Sequence, residues 1–265
     1  MQSLKVLLLT AAIFIPLERI LPIRSKQKIL RRDWLNDLVY WVINSQIIGL
    51  ALAITTSAVI GVGWLVPPLV RAAVAAQPYW LQFIEAVFLS DIGFYFTHRA
   101  FHSIPWLWKL HAIHHSIEEL DWLAGARVHP IDQIVTKGVS LVPVFVLGFS
   151  DPVVVAYTML YFWQSVLVHS NVQISFGPLK WILASPEFHH WHHSKDHKAR
   201  DRNFAAQLPF LDVLFGTAYM PFGYRPTAFG IDEPVRQNYL SQLVHPFRLK
   251  HTAVGEVVEE DGITE

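Results

Sequence analysis

Cysteine is absent from the 265 residues. That excludes disulfides, iron–sulfur clusters, thiolate-ligated haem and cysteine nucleophiles. Charge is scarce as well: 16% of residues are charged, against about a quarter in a soluble domain. Neither sign dominates, with 21 basic and 21 acidic residues. No basic run offers the electrostatic footprint of a nucleic-acid binder, so no nucleic-acid partner is expected. A Gly-x-Gly-x-x-Gly dinucleotide fingerprint and a His-Glu-x-x-His protease motif are both missing, as are internal repeats and low-complexity linkers. What the chain has instead is apolar surface, with 52% hydrophobic residues and a mean hydropathy of +0.32.

That apolar surface is arranged in long runs. Between Trp34 and Thr97 the 64 residues hold four charges, Asp37, Arg71, Glu85 and Asp91. A helix needs about 20 predominantly apolar residues to cross a bilayer. Leu4–Ile23, Asp37–Val66 and Pro78–Thr97 meet that length, and Gln133–Phe149 and Pro152–Val172 form a further pair around Gly148-Phe-Ser-Asp-Pro152. The first member of that pair has about a dozen residues after Lys137, so the pair reads as spanning or re-entrant. The fold expected is an all-α integral membrane protein with four or five membrane helices and a helical cap. A signal peptide is disfavoured, because Pro16, Glu18 and Arg19 stand where a small-residue cleavage site belongs.

Five basic residues, Arg24, Lys26, Lys28, Arg31 and Arg32, follow the first run. Positive loops stay cytoplasmic, which directs the first helix inward and puts the segments after Thr97 and Val172 on the same side. The protein expected is multi-pass, in a bacterial inner membrane or the endoplasmic reticulum, with its C-terminus in the cytoplasm. The sequence suggests N-terminal membrane helices in 1–84, a catalytic domain in 85–222 and a cytoplasmic tail in 223–265, acidic from Ala253 onward. Leu208–Phe222, apolar and aromatic but broken by Pro and Gly, reads as packing at the membrane interface.

Histidine is the residue in excess: 14 copies, 10 of them within 98–115 and 189–197. They read His98-Arg-Ala-Phe-His102, His111-Ala-Ile-His114-His115 and His189-His190-Trp-His192-His193. Spacings of three and four place side chains on one helix face, where two imidazoles can grip one ion. In the triple clusters, adjacent histidines can fan toward two ions. One such pair is unremarkable helix surface. Three clusters on one membrane face, without a metal, would leave imidazoles partly charged and repelling one another, whereas coordination holds them neutral. Imidazole suits zinc, copper, iron and nickel, and eight ligands exceed the four of a structural zinc. A histidine-rich dinuclear site follows. A metal-binding or transport protein for zinc or copper is the alternative, although transporters put their ligands near the midplane of broken helices.

These three boxes, HRAFH, HAIHH and HHWHH, resemble the fatty acid hydroxylase/sterol desaturase superfamily of membrane enzymes. So do their flanks: Ser90-Asp91 with Tyr95, His115-Ser116 with Glu119 and Asp121, Arg127-Val-His129-Pro130, His169-Ser-Asn171, Pro186, and Asp212-Val-Leu-Phe215-Gly216-Thr217. The resemblance runs from about residue 85 to 220. One position departs: the family's Asp-x-Asn-x-Gly appears as Asp201-Arg-Asn203-Phe-Ala205, which puts the geometry of that turn in question.

The resemblance implies a non-haem di-iron, O2-dependent monooxygenase-type enzyme that hydroxylates or desaturates a lipid C–H bond. It implies two iron ions (Fe2+/Fe3+), with zinc a possible substitute in purified protein, and O2 as co-substrate. The partners it implies are a lipid from the bilayer and an external electron donor, cytochrome b5-like or a ferredoxin with its reductase. The ligands it carries over are His98, His102, His111, His114, His115, His189, His192 and His193, extended by His129 and His169. No catalytic side chain is expected beyond the metal centre. Asp91, Glu119 and Asn203 are candidates for orienting the ligands. His190 reads as a neighbour of the site, and His197, His245 and His251 as ordinary surface residues.

Overall fold

A computed structural model of the chain describes residues 2–248. Five long helices dominate: α1 (Gln2–Ile20), α3 (Ser45–Val62), α5 (Tyr79–Ser103), α7 (Pro130–Leu147) and α8 (Asp151–His169). Short helices accompany them: α2 (Trp34–Val39), α4 (Pro68–Ala75), α6 (Pro105–His115), α9 (Pro186–His192), α10 (Phe210–Leu214) and α11 (Tyr239–Val244). Among the described residues no strand forms, and β structure is limited to two isolated bridges. The all-α expectation holds. A π-helical turn, Tyr40–Asn44, joins α2 to α3, so the second apolar run begins with a wider turn that its composition does not announce.

The long helices lie side by side with their functional ends together. Glu18, near the end of α1, accepts the N–H groups of Trp122 and Asn171. Asn44, just before α3, donates to the Val128 carbonyl. At the opposite end, Gln82 of α5 accepts the N–H and hydroxyl of Ser150 in the α7–α8 turn. At 1.5 Å per residue, α1, α3, α7 and α8 are each about 27–29 Å long, close to the hydrocarbon thickness of about 30 Å. Helix α5 is two turns longer, and its extra turns carry His98 and His102.

Among the described residues, α7 and α8 are long and apolar enough to cross a membrane. Outward apolar side chains belt the molecule, among them Leu8 and Leu9 on α1, Ile84 and Phe88 on α5, Val139 and Val142 on α7, and Val155 and Met159 on α8. Water does not favour such a surface, and a bilayer does. In lipid, helices associate through close backbone approach instead of the hydrophobic effect. Gly93 of α5 supplies one such approach, since a Cβ there would stand 3.2 Å from the Val139 carbonyl of α7.

The expected boundary at residues 84 and 85 falls inside α5, which runs through without a break. Nor are residues 223–248 detached. Tyr239 packs edge-on against Tyr40, Gln237 accepts from Arg127, and Gln242 accepts from Asn36. Leu208–Phe222 keeps Leu214 and Phe222 exposed while Leu211 and Asp212 are buried. His251 and the acidic end from Ala253 lie outside the described residues.

The basic loop is less free than its sequence suggests. Arg31 is buried and ion-paired with Asp37 and Asp121. Arg32 pairs with Glu118, and Arg24 stacks on Phe229. The loop is thereby tied to the segment that follows the second histidine box.

Candidate metal centre

Four helix C-termini converge on one point, each ending in histidine: α5 with His98 and His102, α6 with His114 and His115, α8 with His169, and α9 with His189 and His192. Local sequence explains the turns between them. Pro105 opens α6 directly after α5, and the Ser185 hydroxyl caps α9 by accepting the Phe188 N–H. The partial negative charge at a helix C-terminus favours a cation, and here four such ends point inward.

The histidines divide into two groups. His98, His102, His111, His115 and His192 form one, and His114, His169, His189 and His193 the other, with the ligand atoms of each group all within 4.8 Å of one another. The division passes between neighbours in the chain. His114 and His115 go to different groups, as do His192 and His193, the fan expected of consecutive helical residues. The His115 and His193 rings stack at 4.6 Å across the divide.

Hydrogen bonds fix which ring nitrogen faces inward. His98 donates from Nδ1 to the Phe204 carbonyl (2.7 Å), His192 to the Arg202 carbonyl (2.8 Å) and His111 to Asp132 (2.7 Å). In the second group, His114 donates to the Arg127 carbonyl (3.0 Å) and His169 to that of Ser165 (2.7 Å). Carbonyls and carboxylates only accept, so each of these rings carries its proton on Nδ1 and presents a bare Nε2 lone pair. Those lone pairs face one another. Nε2 of His98 is 3.0 Å from Nε2 of His111, and that of His114 is 3.2 Å from that of His169. Neither contact can be a hydrogen bond with the protons so assigned, and among the described residues the buried Nε2 atoms of His102 and His192 have no hydrogen-bond partner. Opposed lone pairs in a buried site call for a cation between them. All-nitrogen groups of five and four fit two borderline-soft divalent ions.

Burial and neighbouring imidazoles hold His111, His114, His115, His189, His192 and His193 well below the usual histidine range. They are therefore neutral at pH 7 and available as ligands.

His129 stands apart from both groups, contrary to expectation. Its Nδ1 accepts the Ile131 N–H and caps α7, and its Nε2 donates to the Leu243 carbonyl. Both nitrogens are engaged, so none is left for a metal. His190 donates to the Ser170 carbonyl and is a neighbour of the site. His197 is exposed, and His245 lies in a short 3-10 turn outside both groups.

The orienting residues also differ from those expected. Asp91 touches no histidine. Its carboxylate accepts the N–H groups of Ala206, Gln207 and Leu208. Glu119 accepts the Arg32 N–H at the surface. Asn203 donates to the carbonyls of Phe188 and Tyr219, joining α9 to the loop after it. That loop, 201–204, offers acceptors to three rings of the first group: Asp201 to His102, Arg202 to His192 and Phe204 to His98. Asp212 pins it through the N–H groups of Phe204 and Ala205. The left-handed residues are Asp201 and Asn203, with φ of 55° and 60°. Ala205 is not among them, so the departure from glycine there causes no backbone strain. Asp132, the carboxylate on His111, is the partner that sequence reasoning missed. It opens α7 21 residues after its histidine, and no local spacing relates the two.

Two cavities flank the centre. One, of about 460 Å³, lies between α7 and α8 and reaches Tyr40, Gly125, Lys137 and Ser165. The other, of about 390 Å³, is polar and lined by His102, His115, His192, Asp201 and Asp232. Gly125 is the partition between the first cavity and His169, since a Cβ there would stand 2.9 Å from His169 Nδ1. Gly125→Val should therefore displace His169 and leave the second group with three ligands. The expected result is about one metal equivalent lost per chain, with helix content by circular dichroism unchanged. A variant retaining all of its metal would show that the ring moves aside freely.

A fatty acid hydroxylase sequence profile matches residues 83–217. The ornithine lipid hydroxylase OlsE of Rhizobium tropici is 30% identical over 92% of this chain and 75% of its own length. The human alkylglycerol monooxygenase is 34% identical over 48% of this chain and 28% of its own length. A very-long-chain aldehyde decarbonylase, GL1-11 of Oryza sativa subsp. indica, is 27% identical over 53% of this chain and 54% of its own length. This chain thus spans three-quarters of the rhizobial protein and about a quarter to a half of the other two. No solved structure matches it.

Proposed function

The chain belongs to the fatty acid hydroxylase family, and from that premise we propose that it is a multi-pass membrane enzyme. It hydroxylates or desaturates a lipid C–H bond with O2 at a di-iron centre. The observation that carries this reading is the convergence of nine histidines, buried or nearly so, in two groups beside a cavity between apolar helices. The irons supply the oxidising power that side chains lack. Group one is His98, His102, His111, His115 and His192, and group two is His114, His169, His189 and His193. Zinc fits the same nitrogens and is the expected substitute in purified protein.

The chain's own residues hold and shield that centre. Carbonyls and Asp132 fix the imidazole orientations, as outer partners of metal ligands do. Gly125 keeps the wall between lipid cavity and histidines thin. The polar cavity on the other side leads from the surface to His102, where exposed Asp201 can pass protons. Hydroxylation consumes R–H, O2, two electrons and two protons, giving R–OH and water. Desaturation takes the same reductant, removes two hydrogens from the lipid and gives two waters. The electrons come from an external cytochrome b5-like or ferredoxin donor docking on the polar face. That face is cytoplasmic in this proposal, which the packing of the basic loop against residues 118–121 supports.

The test is incubation of iron-loaded protein in lipid nanodiscs with 18O2, a ferredoxin–reductase pair and a membrane lipid extract. A lipid gaining one 18O, or losing two hydrogens, is expected only with iron and reductant present. O2 consumption that is no greater with iron than with zinc, with no lipid changed in mass, would falsify the proposal.

A further inference from the structure

The cavity between α7 and α8 is not the plain hydrocarbon slot that an alkyl chain requires. Gln133, Lys137 and Ser140 line one wall from successive turns of α7, and Tyr157, Tyr161 and Ser165 line the other from α8. Lys137 is the one formally charged residue of the lining. Among the described residues it has no ion pair or hydrogen bond, and its ammonium lies 5.8 Å from the centre of the Tyr161 ring. A lysine inside a membrane helix is costly. Such residues pair with one another or with backbone carbonyls, or they mark the path of a substrate.

A second, independent observation concerns a residue at the border of the same space. Tyr40 is fully buried in the π-helical turn before α3. The residue borders the cavity, and its hydroxyl is buried without a hydrogen-bond partner among the described residues. A buried unsatisfied hydroxyl is costly, and π turns inserted in helices are frequent at functional sites. An unpaired cation in the cavity and an orphaned donor on a residue at its border, with no carboxylate in the lining, describe a receptor for an anion.

We propose that this cavity binds the anionic group of a lipid, a carboxylate or a phosphate, with Lys137 as counter-ion and the Tyr40 hydroxyl as hydrogen-bond donor. The inference rests on the reading that this cavity admits the lipid to the metal centre. Lys137 is five residues beyond Asp132, about 7.5 Å along the helix axis, and Asp132 holds His111. The anionic group is thereby anchored within reach of the histidines, and the acyl chain is left to the apolar lining and the bilayer.

The test is equilibrium binding of stearate, stearyl phosphate and stearyl alcohol to the metal-loaded full chain in neutral detergent micelles, without reductant. These probes share one acyl chain and differ in head group. One or both acids should bind about 10- to 100-fold more tightly than the alcohol, the range for a hydrogen bond to a charged group. The tighter acid identifies the head group as carboxylate or phosphate. Lys137→Met should erase the preference, Lys137→Arg should keep it, and Tyr40→Phe should reduce it. Equal binding of acids and alcohol by the unaltered protein overturns the proposal without recourse to any variant, as does a preference that survives in Lys137→Met. Acid binding through Lys137 in a protein that oxidises no lipid upholds this site and overturns the oxygenase reading instead.

Discussion

His114→Ala is expected to reduce the bound metal from two equivalents to one and to abolish lipid oxidation. His114 supplies one of four nitrogens in the second group, and its removal leaves His169, His189 and His193. The first group keeps all five of its ligands. His192→Ala acts on the other side, weakening the first group, which keeps four nitrogens, and sparing the second. Each loss should exceed the about 10–100-fold cost of removing an outer partner, which is the effect expected of Asp132→Asn at His111. Alanine at His190 or His197 should leave metal content intact. His129→Ala should also keep both metals while costing about 1 kcal/mol of stability through the lost helix cap. Metal analysis of each variant, paired with product analysis, separates these outcomes. Two equivalents retained by His114→Ala would remove the case for a divided centre.

The second large effect is on stability. Asp37, fully buried near the start of the second apolar run, accepts from both Arg31 and Arg127. Arg31 continues to Asp121 at 2.8 Å, so two arginines and two aspartates form one buried network. Removing one partner of such a network leaves a charge uncompensated and costs about 3–5 kcal/mol, a large share of the 5–15 kcal/mol that typically holds a fold. Asp37→Ala should therefore lower the unfolding midpoint sharply. It should also loosen the second metal group, because the Arg127 carbonyl orients His114. Asp37→Asn, which keeps a hydrogen-bond acceptor, should fall between the two. A midpoint within a degree or two of the unaltered protein would mean that the arginines find other partners.

Asp37 also illustrates how far local pattern reaches. In sequence it is a lone charge in an apolar run, and the composition of that run foretold a helix. Its partners are Arg31, six residues before it, and Arg127, 90 residues after it. Asp91 is the opposite case. Its spacing with Tyr95, His98 and His102 put it on their helical stripe and made it a natural partner for imidazole, yet the loop at 206–208 offers its carboxylate three N–H donors at shorter reach. His129 sits among family-like flanks, but its position before Pro130 makes it the cap of α7, and both nitrogens are consumed there.

The sequence by itself determined that the chain is helical, apolar and rich in imidazole, and that adjacent histidines can face different groups. Those properties follow from spacings of three and four along one helix, where geometry is set within a single turn. Only the tertiary structure decided that His169 joins the centre and His129 does not, that Asp132 and the 201–204 loop orient the rings, and that Lys137 and Tyr40 share a cavity. Each of these depends on which helix ends meet, and that is settled by packing between segments tens of residues apart, for which no local period exists.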